Sequence, residues 1–239
     1  MRCTLLHGFA GDPSAWDGVI GAWRARIAPE PVALPGHGGD AVQPDWAANV
    51  AALAQTVAEG DIVVGYSLGA RLALGLLAAG RCERAVLISV NPGLSAAAHA
   101  ERAARRAGDA AWAAMLRTRG VAAFADAWEA QPLFASQTRV ALELRAARRA
   151  ARLRHDPEQL ARSLETMGLG EMPDYRAALG AAGDRVTLVV GAEDAKFVAL
   201  ADASGLPFAT IADCGHDPTL EQPRTLARVL ARVIGEPRT

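Results

Sequence analysis

A serine at a glycine-flanked turn constrains this chain more than any other feature of its sequence. The segment Gly65-Tyr66-Ser67-Leu68-Gly69 follows an apolar strand pattern at residues 61–64 and opens an apolar helix pattern at residues 68–79. Side chains beside a serine at such a sharp turn would clash, and glycine removes them. The turn raises the Ser67 hydroxyl above the sheet edge and directs the Leu68 amide, at a positive helix N-terminus, towards any oxyanion formed there. The segment predicts a nucleophilic serine and one donor of an oxyanion hole.

Short apolar runs alternate with helical patterns on both sides of this turn. Strands are predicted at residues 3–6, 32–34, 61–64, 85–89, 186–190 and 208–211, and helices at residues 46–59, 68–79 and 219–234. Continuous apolar strands that alternate with helices are typical of a parallel sheet covered on both faces. The sequence therefore predicts an α/β fold with a mostly parallel sheet of about six strands flanked by helices.

The middle of the chain has a different pattern, because residues 95–179 contain helical segments and no convincing strand. We interpret residues 94–180 as a helical cap inserted between two segments of the core, residues 1–93 and 181–239. Arginine and alanine alternate through residues 139–154. This pattern favours a solvated amphipathic helix over a binding patch.

Charge and cysteine content exclude several classes of partner. The 239 residues have 25 basic and 26 acidic side chains, for a net charge of −1, and Lys196 is the single lysine. This balance argues against a nucleic-acid partner. Cys3, Cys82 and Cys214 match no metal or redox spacing, which fits a reducing compartment. No apolar run is long enough for a membrane span or a secretory signal, so we expect a cytoplasmic protein, either a monomer or a weak homo-oligomer.

A nucleophilic serine needs a base and an acid that orients the base. His216 follows the last predicted strand at a glycine turn, and Asp194 follows the strand before it, which gives the chain order serine, aspartate, histidine. The alternatives are Glu193 or Asp184 as the acid and His37, His99 or His155 as the base. The turn at His7-Gly8-Phe9 after the first strand predicts the Phe9 amide as the second oxyanion donor, with His7 as a structural residue of that turn.

The chain resembles the α/β-hydrolase-fold proteins and, more narrowly, the 2-succinyl-6-hydroxy-2,4-cyclohexadiene-1-carboxylate synthases of menaquinone biosynthesis. The shared core text comprises His7-Gly8-Phe9, Leu34-Pro35-Gly36-His37-Gly38-Gly39, Gly65-Tyr66-Ser67-Leu68-Gly69 with Arg71, and Asp194 with Lys196-Phe197. The shared cap text comprises Glu101-Arg102, Phe124-Ala125-Asp126, Trp128, Gln131-Pro132, Phe134-Ala135-Ser136 and Leu144-Arg145. The core motifs are general to the fold, whereas the cap matches are specific to these synthases.

The resemblance implies a lyase that eliminates pyruvate from a cyclohexene with succinyl, carboxylate and enolpyruvyl groups. Ser67, assisted by His216 and oriented by Asp194, would be the base, and the oxyanion hole would hold the enolate. No metal ion or organic cofactor is implied. The anionic substrate would contact Arg71, Arg102, Arg145, Trp128 and Tyr66. Each of these five has a structural alternative, namely an ion pair for Arg71, a solvated helix face for Arg102 and Arg145, and packing for Trp128 and Tyr66.

Two other functions remain open at the level of sequence. The same triad serves a carboxylesterase or a carbon–carbon bond hydrolase through an acyl-enzyme, and the fold does not separate these reactions. A non-enzymatic protein of the same fold that binds a small molecule or a protein partner is the third possibility. The discriminating feature is the set Arg71, Arg102 and Arg145, since a neutral ester does not require cations that converge on Ser67.

Overall fold

The centre of the molecule is a six-stranded parallel sheet, as the sequence predicts. The computed structural model describes residues 2–58 and 60–235. The strands are β1 (Cys3–Leu6), β2 (Pro29–Val32), β3 (Ile62–Tyr66), β4 (Arg84–Ile88), β5 (Val186–Gly191) and β6 (Phe208–Ile211), in the spatial order β2-β1-β3-β4-β5-β6. All neighbouring pairs are parallel. The carboxyl ends of all six strands therefore meet at one edge of the sheet.

The second strand differs from its prediction at residues 32–34. It begins at Pro29 and ends at Val32, because the Leu34 amide donates to the His7 ring nitrogen Nε2 at 3.1 Å instead of continuing the ladder. Pro29 and Pro31 have no amide hydrogen to donate, and they are tolerated because β2 is an edge strand.

Helices cover both faces of the sheet. They are α1 (Asp17–Gly21), α2 (Trp46–Leu53), α3 (Leu68–Ala78), α4 (His99–Glu129), α5 (Leu142–Arg152), α6 (Pro157–Met167), α7 (Arg176–Ala182), α8 (Ala195–Ala203), α9 (Pro218–Glu221) and α10 (Pro223–Gly235). Short 3-10 turns lie at Pro13–Trp16, Pro132–Arg139 and Gly183–Arg185. None of these helices is both long enough and apolar enough to cross a bilayer within the described ranges.

One predicted helix is shorter than expected and another is divided into two. The helix predicted at residues 46–59 ends at Leu53, and Glu59 lies outside the described residues. The helix predicted at residues 219–234 is two helices that meet at Pro223. Proline lacks an amide hydrogen and clashes with the preceding turn, so a helix starts there more readily than it continues through.

All the regular elements that the structure describes between β4 and β5 are helices. We call residues 94–180 the cap. It begins with α4, which bends at Gly120, where φ is +76°. Helices α4 and α6 pack against each other in a small cluster that includes Leu116, Phe124 and Leu160. Met167, Leu169 and Met172 at the end of α6 and beyond belong instead to the main core cluster beside α3. The cap is thus joined to the core through apolar contacts at its C-terminal end.

Alternation along the strands explains how both faces of the sheet are filled. In β3, Val63 packs with the cluster on the α3 side. Its neighbours Ile62 and Val64 pack with the cluster on the α10 side. All five residues of β3 are buried, which is typical of a central strand in a parallel sheet.

Candidate active site

The turn between β3 and α3 holds Ser67 in a strained backbone conformation. Its φ is +53° and its ψ is −108°, a region that L-residues rarely occupy. The Ser67 amide donates to the Ile88 carbonyl at 2.9 Å, and its carbonyl accepts from the Arg71 amide at 3.1 Å. A Cβ atom on Gly65 would overlap the backbone of Gly69, and one on Gly69 would overlap the Leu6 carbonyl. The flanking glycines are therefore a steric requirement of this turn.

Ser67, His216 and Asp194 form a continuous hydrogen-bonded chain. The His216 Nε2 atom lies 3.2 Å from Ser67 Oγ, and its Nδ1 atom lies 2.7 Å from Asp194 Oδ2. Asp194 follows β5 and caps α8 by accepting from the Phe197 amide at 3.4 Å. His216 and Asp194 are buried, whereas Ser67 is partly accessible. A serine hydroxyl in this arrangement can pass its proton to the imidazole.

The turn that contains His216 is fixed from two sides. The Glu221 carboxylate accepts from the Gly215 amide at 2.7 Å and from the Asp217 amide at 3.1 Å. The Ser89 hydroxyl donates to the His216 carbonyl at 3.0 Å. Ser89 and Glu221 position the imidazole through its backbone, and the sequence pattern did not assign either of them this role.

The alternative acids and bases lie elsewhere. Glu193 is an exposed partner of Arg139, at 2.6 Å. Asp184 belongs to the 3-10 turn before β5, and His99 is exposed at the start of α4. His37 and His155 pack edge to face at 5.6 Å, and His37 also meets His7 at 5.4 Å.

These three buried histidines are neutral. The His7 Nδ1 atom lies 2.8 Å from the Gly8 carbonyl and its Nε2 accepts from the Leu34 amide. Burial lowers the pKa of His7 to about 4 and lowers those of His37 and His155 as well. Because His7 makes both ring contacts with backbone atoms, it supports the turn before Phe9.

Aromatic rings surround the imidazole of His216. Phe197 lies at 4.5 Å, Tyr66 at 5.6 Å and Phe134 at 6.1 Å between ring centroids. Burial raises the pKa of Tyr66 well above its ordinary value, so its hydroxyl keeps its proton. Such packing restricts the ring orientation that the Asp194 contact selects.

A cavity of about 280 Å³ opens above Ser67, between the sheet edge and the cap. Among the described residues, five cations line it, namely Arg71, Arg105, Arg148, Arg152 and Lys196, against two carboxylates, Asp109 and Asp217. Several cations that converge on a water-restricted site favour an anionic ligand, and guanidinium groups suit carboxylates especially well.

Arg71 is the cation nearest to Ser67 along the chain, one helical turn after it. Its Nη1 atom donates to the Met167 carbonyl at 2.8 Å, and its guanidinium lies 5.8 Å from the centre of the Trp46 ring. Burial lowers the pKa of Arg71 to about 9, with Arg105 acting in the same direction and Asp109 against it. The side chain therefore stays charged at neutral pH while retaining free donor capacity.

Comparison with known proteins places this geometry in a family. The model of the alpha/beta hydrolase family matches residues 5–229. This chain belongs to that family. This chain is 33% identical to the 2-succinyl-6-hydroxy-2,4-cyclohexadiene-1-carboxylate synthase of Salmonella schwarzengrund, over 97% of this chain and 92% of the relative. It is 34% identical, with the same coverage, to the synthase of that name from Klebsiella pneumoniae.

Solved structures give the same relationship. MenH from S. aureus superposes on this alpha/beta hydrolase family member with a TM-score of 0.90 at 26% identity, covering 98% of this chain and 93% of that chain. A thermophilic esterase from Thermogutta terrifontis superposes with a TM-score of 0.80 at 22% identity, covering 98% and 89%. At that identity the similarity to the esterase shows a shared fold alone.

Two arginines that the resemblance assigns to the substrate lie outside the cavity lining of this family member. Arg102 donates to four backbone carbonyls, those of Leu94, Ser95, Gly170 and Met172, and so ties the start of α4 to the end of the cap. Arg145 is partly buried on α5 and does not reach the cavity. The structure therefore places both side chains outside this lining, and their contact with the substrate stays a prediction.

Cap arginines one or two turns further along line the cavity instead. Arg105 pairs with Asp109 at 2.8 Å, and Arg148 pairs with Asp217 at 3.4 Å. Arg152 pairs with Glu129. The sequence favours a solvated amphipathic helix over a binding patch at residues 139–154; the helix is α5, and its Arg148 and Arg152 line the cavity. These arginines follow Arg145 at i+3 and i+7, but the sequence did not give the point at which the helix crosses the core.

The other three residues of the expected substrate set, Arg71, Tyr66 and Trp128, do line the cavity. So do Phe9 and Leu68, the two predicted oxyanion donors. Trp128 stacks on Phe124 at 5.2 Å and meets Phe9 at 5.2 Å, so it both packs in the cap and faces the site. Phe9 and Leu68 border Ser67 from β1 and α3, where their amides can serve an oxyanion.

Proposed function

We propose that this protein is a lyase that eliminates pyruvate from the succinyl-enolpyruvyl-cyclohexene carboxylate intermediate of menaquinone biosynthesis. The observation that carries the proposal is a serine, histidine and aspartate chain that opens into a cavity lined, among the described residues, by five cations and two carboxylates. A neutral ester would not use this excess of positive charge, whereas a substrate with several carboxylates would. The synthases that this chain is similar to support the same reaction.

The chemistry follows from the positions of the groups. His216 takes the Ser67 proton, and Ser67 takes the proton next to the succinyl ketone, with Asp194 holding the imidazole in orientation. The electron pair moves to the ketone oxygen, where the Phe9 and Leu68 amides stabilise the enolate. Collapse of the enolate forms a ring double bond and breaks the bond to the enolpyruvyl oxygen. The leaving group departs as the enolate of pyruvate, which takes up a proton and becomes pyruvate.

The cations have a separate task, which is to hold the carboxylates while the proton is removed. Arg71 lies nearest the base along the chain, and Arg105, Arg148 and Arg152 approach from the cap. Lys196 lines the same cavity from the first turn of α8. Trp128 and Tyr66 supply apolar wall, and the Tyr66 hydroxyl supplies a donor. Fixing three anionic groups at once orients the carbon acid towards Ser67.

The test is pyruvate release from the enolpyruvyl substrate, generated in situ by the preceding reaction and corrected for spontaneous elimination. Ser67→Ala and His216→Ala should each lower kcat by roughly 100-fold or more, because each removes a member of the proton relay. Arg71→Ala should act mainly on KM. His99→Ala, in an exposed residue outside the site, is the control.

Release that is no faster than the uncatalysed background would overturn the lyase proposal. Turnover of simple aryl esters in that case, dependent on Ser67, would assign the same triad to an esterase. If the protein catalysed neither pyruvate release nor ester hydrolysis, the remaining possibility would be a binding protein of this fold.

A further inference from the structure

Helix α6 places at the wall of the cavity a serine that the reaction above does not use. Ser163 is 1% exposed to solvent and lines the cavity together with Leu164 and Met167 on the same helix. Met167 is one turn further along, and its carbonyl is the acceptor for Arg71. Ser163 therefore lies on the cap wall that holds the Arg71 guanidinium.

The hydroxyl of Ser163 has no hydrogen-bond partner among the described residues. A buried serine or threonine on a helix commonly donates back to the carbonyl four residues earlier. Thr166 on the same helix does so, donating to the Arg162 carbonyl at 2.9 Å. Ser163 has the same backbone option and does not take it, so its donor is left without a partner at a cost in free energy.

Other buried atoms without partners support this distinction. In the described part of the chain, only two of them belong to residues that line the cavity, namely Oγ of Ser163 and Nε of Arg152. The Thr4 hydroxyl is equally buried and unpartnered, but it lies on β1 away from the cavity. Unmet hydrogen-bonding capacity in a ligand cavity is capacity that a ligand can fill.

We propose that Ser163 is a specificity-determining residue whose hydroxyl donates a hydrogen bond to an oxygen atom of the bound anionic substrate, most directly a carboxylate oxygen. This inference rests on the proposed function for the identity of the substrate. It adds a neutral donor on the cap side to the charged donors already described. A neutral donor discriminates by position, because it rewards only an oxygen placed within hydrogen-bond distance.

The experiment compares Ser163→Ala with wild type in the pyruvate-release assay, and measures binding separately. For binding, titration calorimetry uses 2-succinylbenzoate, a stable aromatic compound with the succinyl and ring carboxylate groups, in a Ser67→Ala background. We expect Ser163→Ala to raise KM, and the Kd of 2-succinylbenzoate, by roughly 10-fold, the loss typical of one hydrogen bond to a charged group. We expect kcat to change less than twofold.

Thr4→Val is the matched control, since it removes an equally buried, unpartnered hydroxyl outside the cavity and should leave KM and Kd unchanged. A purely structural role for Ser163 would lower Tm without altering Kd, whereas loss of an unpartnered hydroxyl should leave Tm unchanged or higher. Ser163→Cys keeps a side chain of similar size with a weaker donor, so it should give intermediate KM and Kd values. It also provides a second test of the prediction if the alanine variant does not fold.

The outcomes separate the two proposals. Unchanged KM and Kd in Ser163→Ala, with an active wild type, would overturn the role of Ser163 and leave the lyase intact. An inactive wild type would overturn the lyase, and the Kd comparison would still decide whether Ser163 contacts an anionic ligand.

Discussion

The strain at Ser67 can be measured by comparing two variants that both lack the hydroxyl. Ser67→Ala and Ser67→Gly lose the contact to His216 equally, so the difference between them isolates the backbone. With φ at +53° and ψ at −108°, alanine keeps the steric cost, which is about 1–3 kcal/mol for such a conformation. Glycine removes that cost, but its greater conformational freedom stabilises the unfolded state by about 0.4–1 kcal/mol. We expect Ser67→Gly to exceed Ser67→Ala in stability by roughly 1 kcal/mol.

Urea unfolding followed by circular dichroism measures this difference, and calorimetry should show a Tm about 2–4 °C higher for the glycine variant in a chain of this size. Ser204 provides the matched control, because its φ of −72° is ordinary for L-residues. At that position glycine should be less stable than alanine by about 0.5–1 kcal/mol. If glycine at position 67 were no more stable than alanine, the turn would not be strained, and the argument from its dihedral angles would be refuted.

Three further predictions follow from contacts described above. Arg102→Ala should lower Tm and leave KM unchanged, because Arg102 binds backbone carbonyls. Arg105→Ala should raise KM about 10-fold, because Arg105 lines the cavity. The reverse pattern would contradict the positions of these two arginines. Because the pKa of His7 is lowered to about 4 by burial, its contribution to stability should be present above about pH 6.5 and lost as pH falls towards 4. Urea unfolding across that range should therefore show a shallower pH dependence for His7→Gln, and an unchanged one would contradict the assignment. A Cβ atom on Gly191 would overlap the Cys214 and Gly215 carbonyls, so Gly191→Ala should lower both kcat and Tm, and wild-type kinetics in that variant would show that the His216 turn is not fixed there.

Much of the core could be predicted because its signals are local. The apolar strands, the glycines around Ser67 and the order of Asp194 and His216 each depend on a few adjacent residues and on rules of parallel sheets. The β2 boundary was wrong because it depends on a contact between Leu34 and His7, which are 27 residues apart. The helix predicted from residue 46 was too long because Ala54 and Val57, beyond the end of α2, are buried in the core without being helical, so the apolar pattern continues past the helix.

The cap shows the limit of reading arginines from a pattern. Arg102 and Arg105 differ by one helical turn on α4, and Arg145 and Arg148 do so on α5. Each pair has the same chemistry and similar neighbours in sequence. Residues three apart are neighbours on one helix face, so which member lines the cavity depends on where along its length each helix crosses the core. That position depends on distant side chains. Ser163 could not be found from sequence for the same reason, since a lone serine on a helix has no distinguishing pattern.

The insertion of the cap between β4 and β5 divides the protein into two parts that evolution or an engineer can alter separately. Ser67, Asp194 and His216 lie outside the insertion, whereas Arg105, Arg148 and Arg152 lie inside it. Exchange of the inserted helices for those of another family member would present a different set of charges to an unchanged serine. Such a graft would have to retain Met167, Leu169 and Met172, because these side chains complete the core. The molecule thus carries most of its cavity-lining cations on a segment whose hydrophobic anchor is shared with the core that holds Ser67.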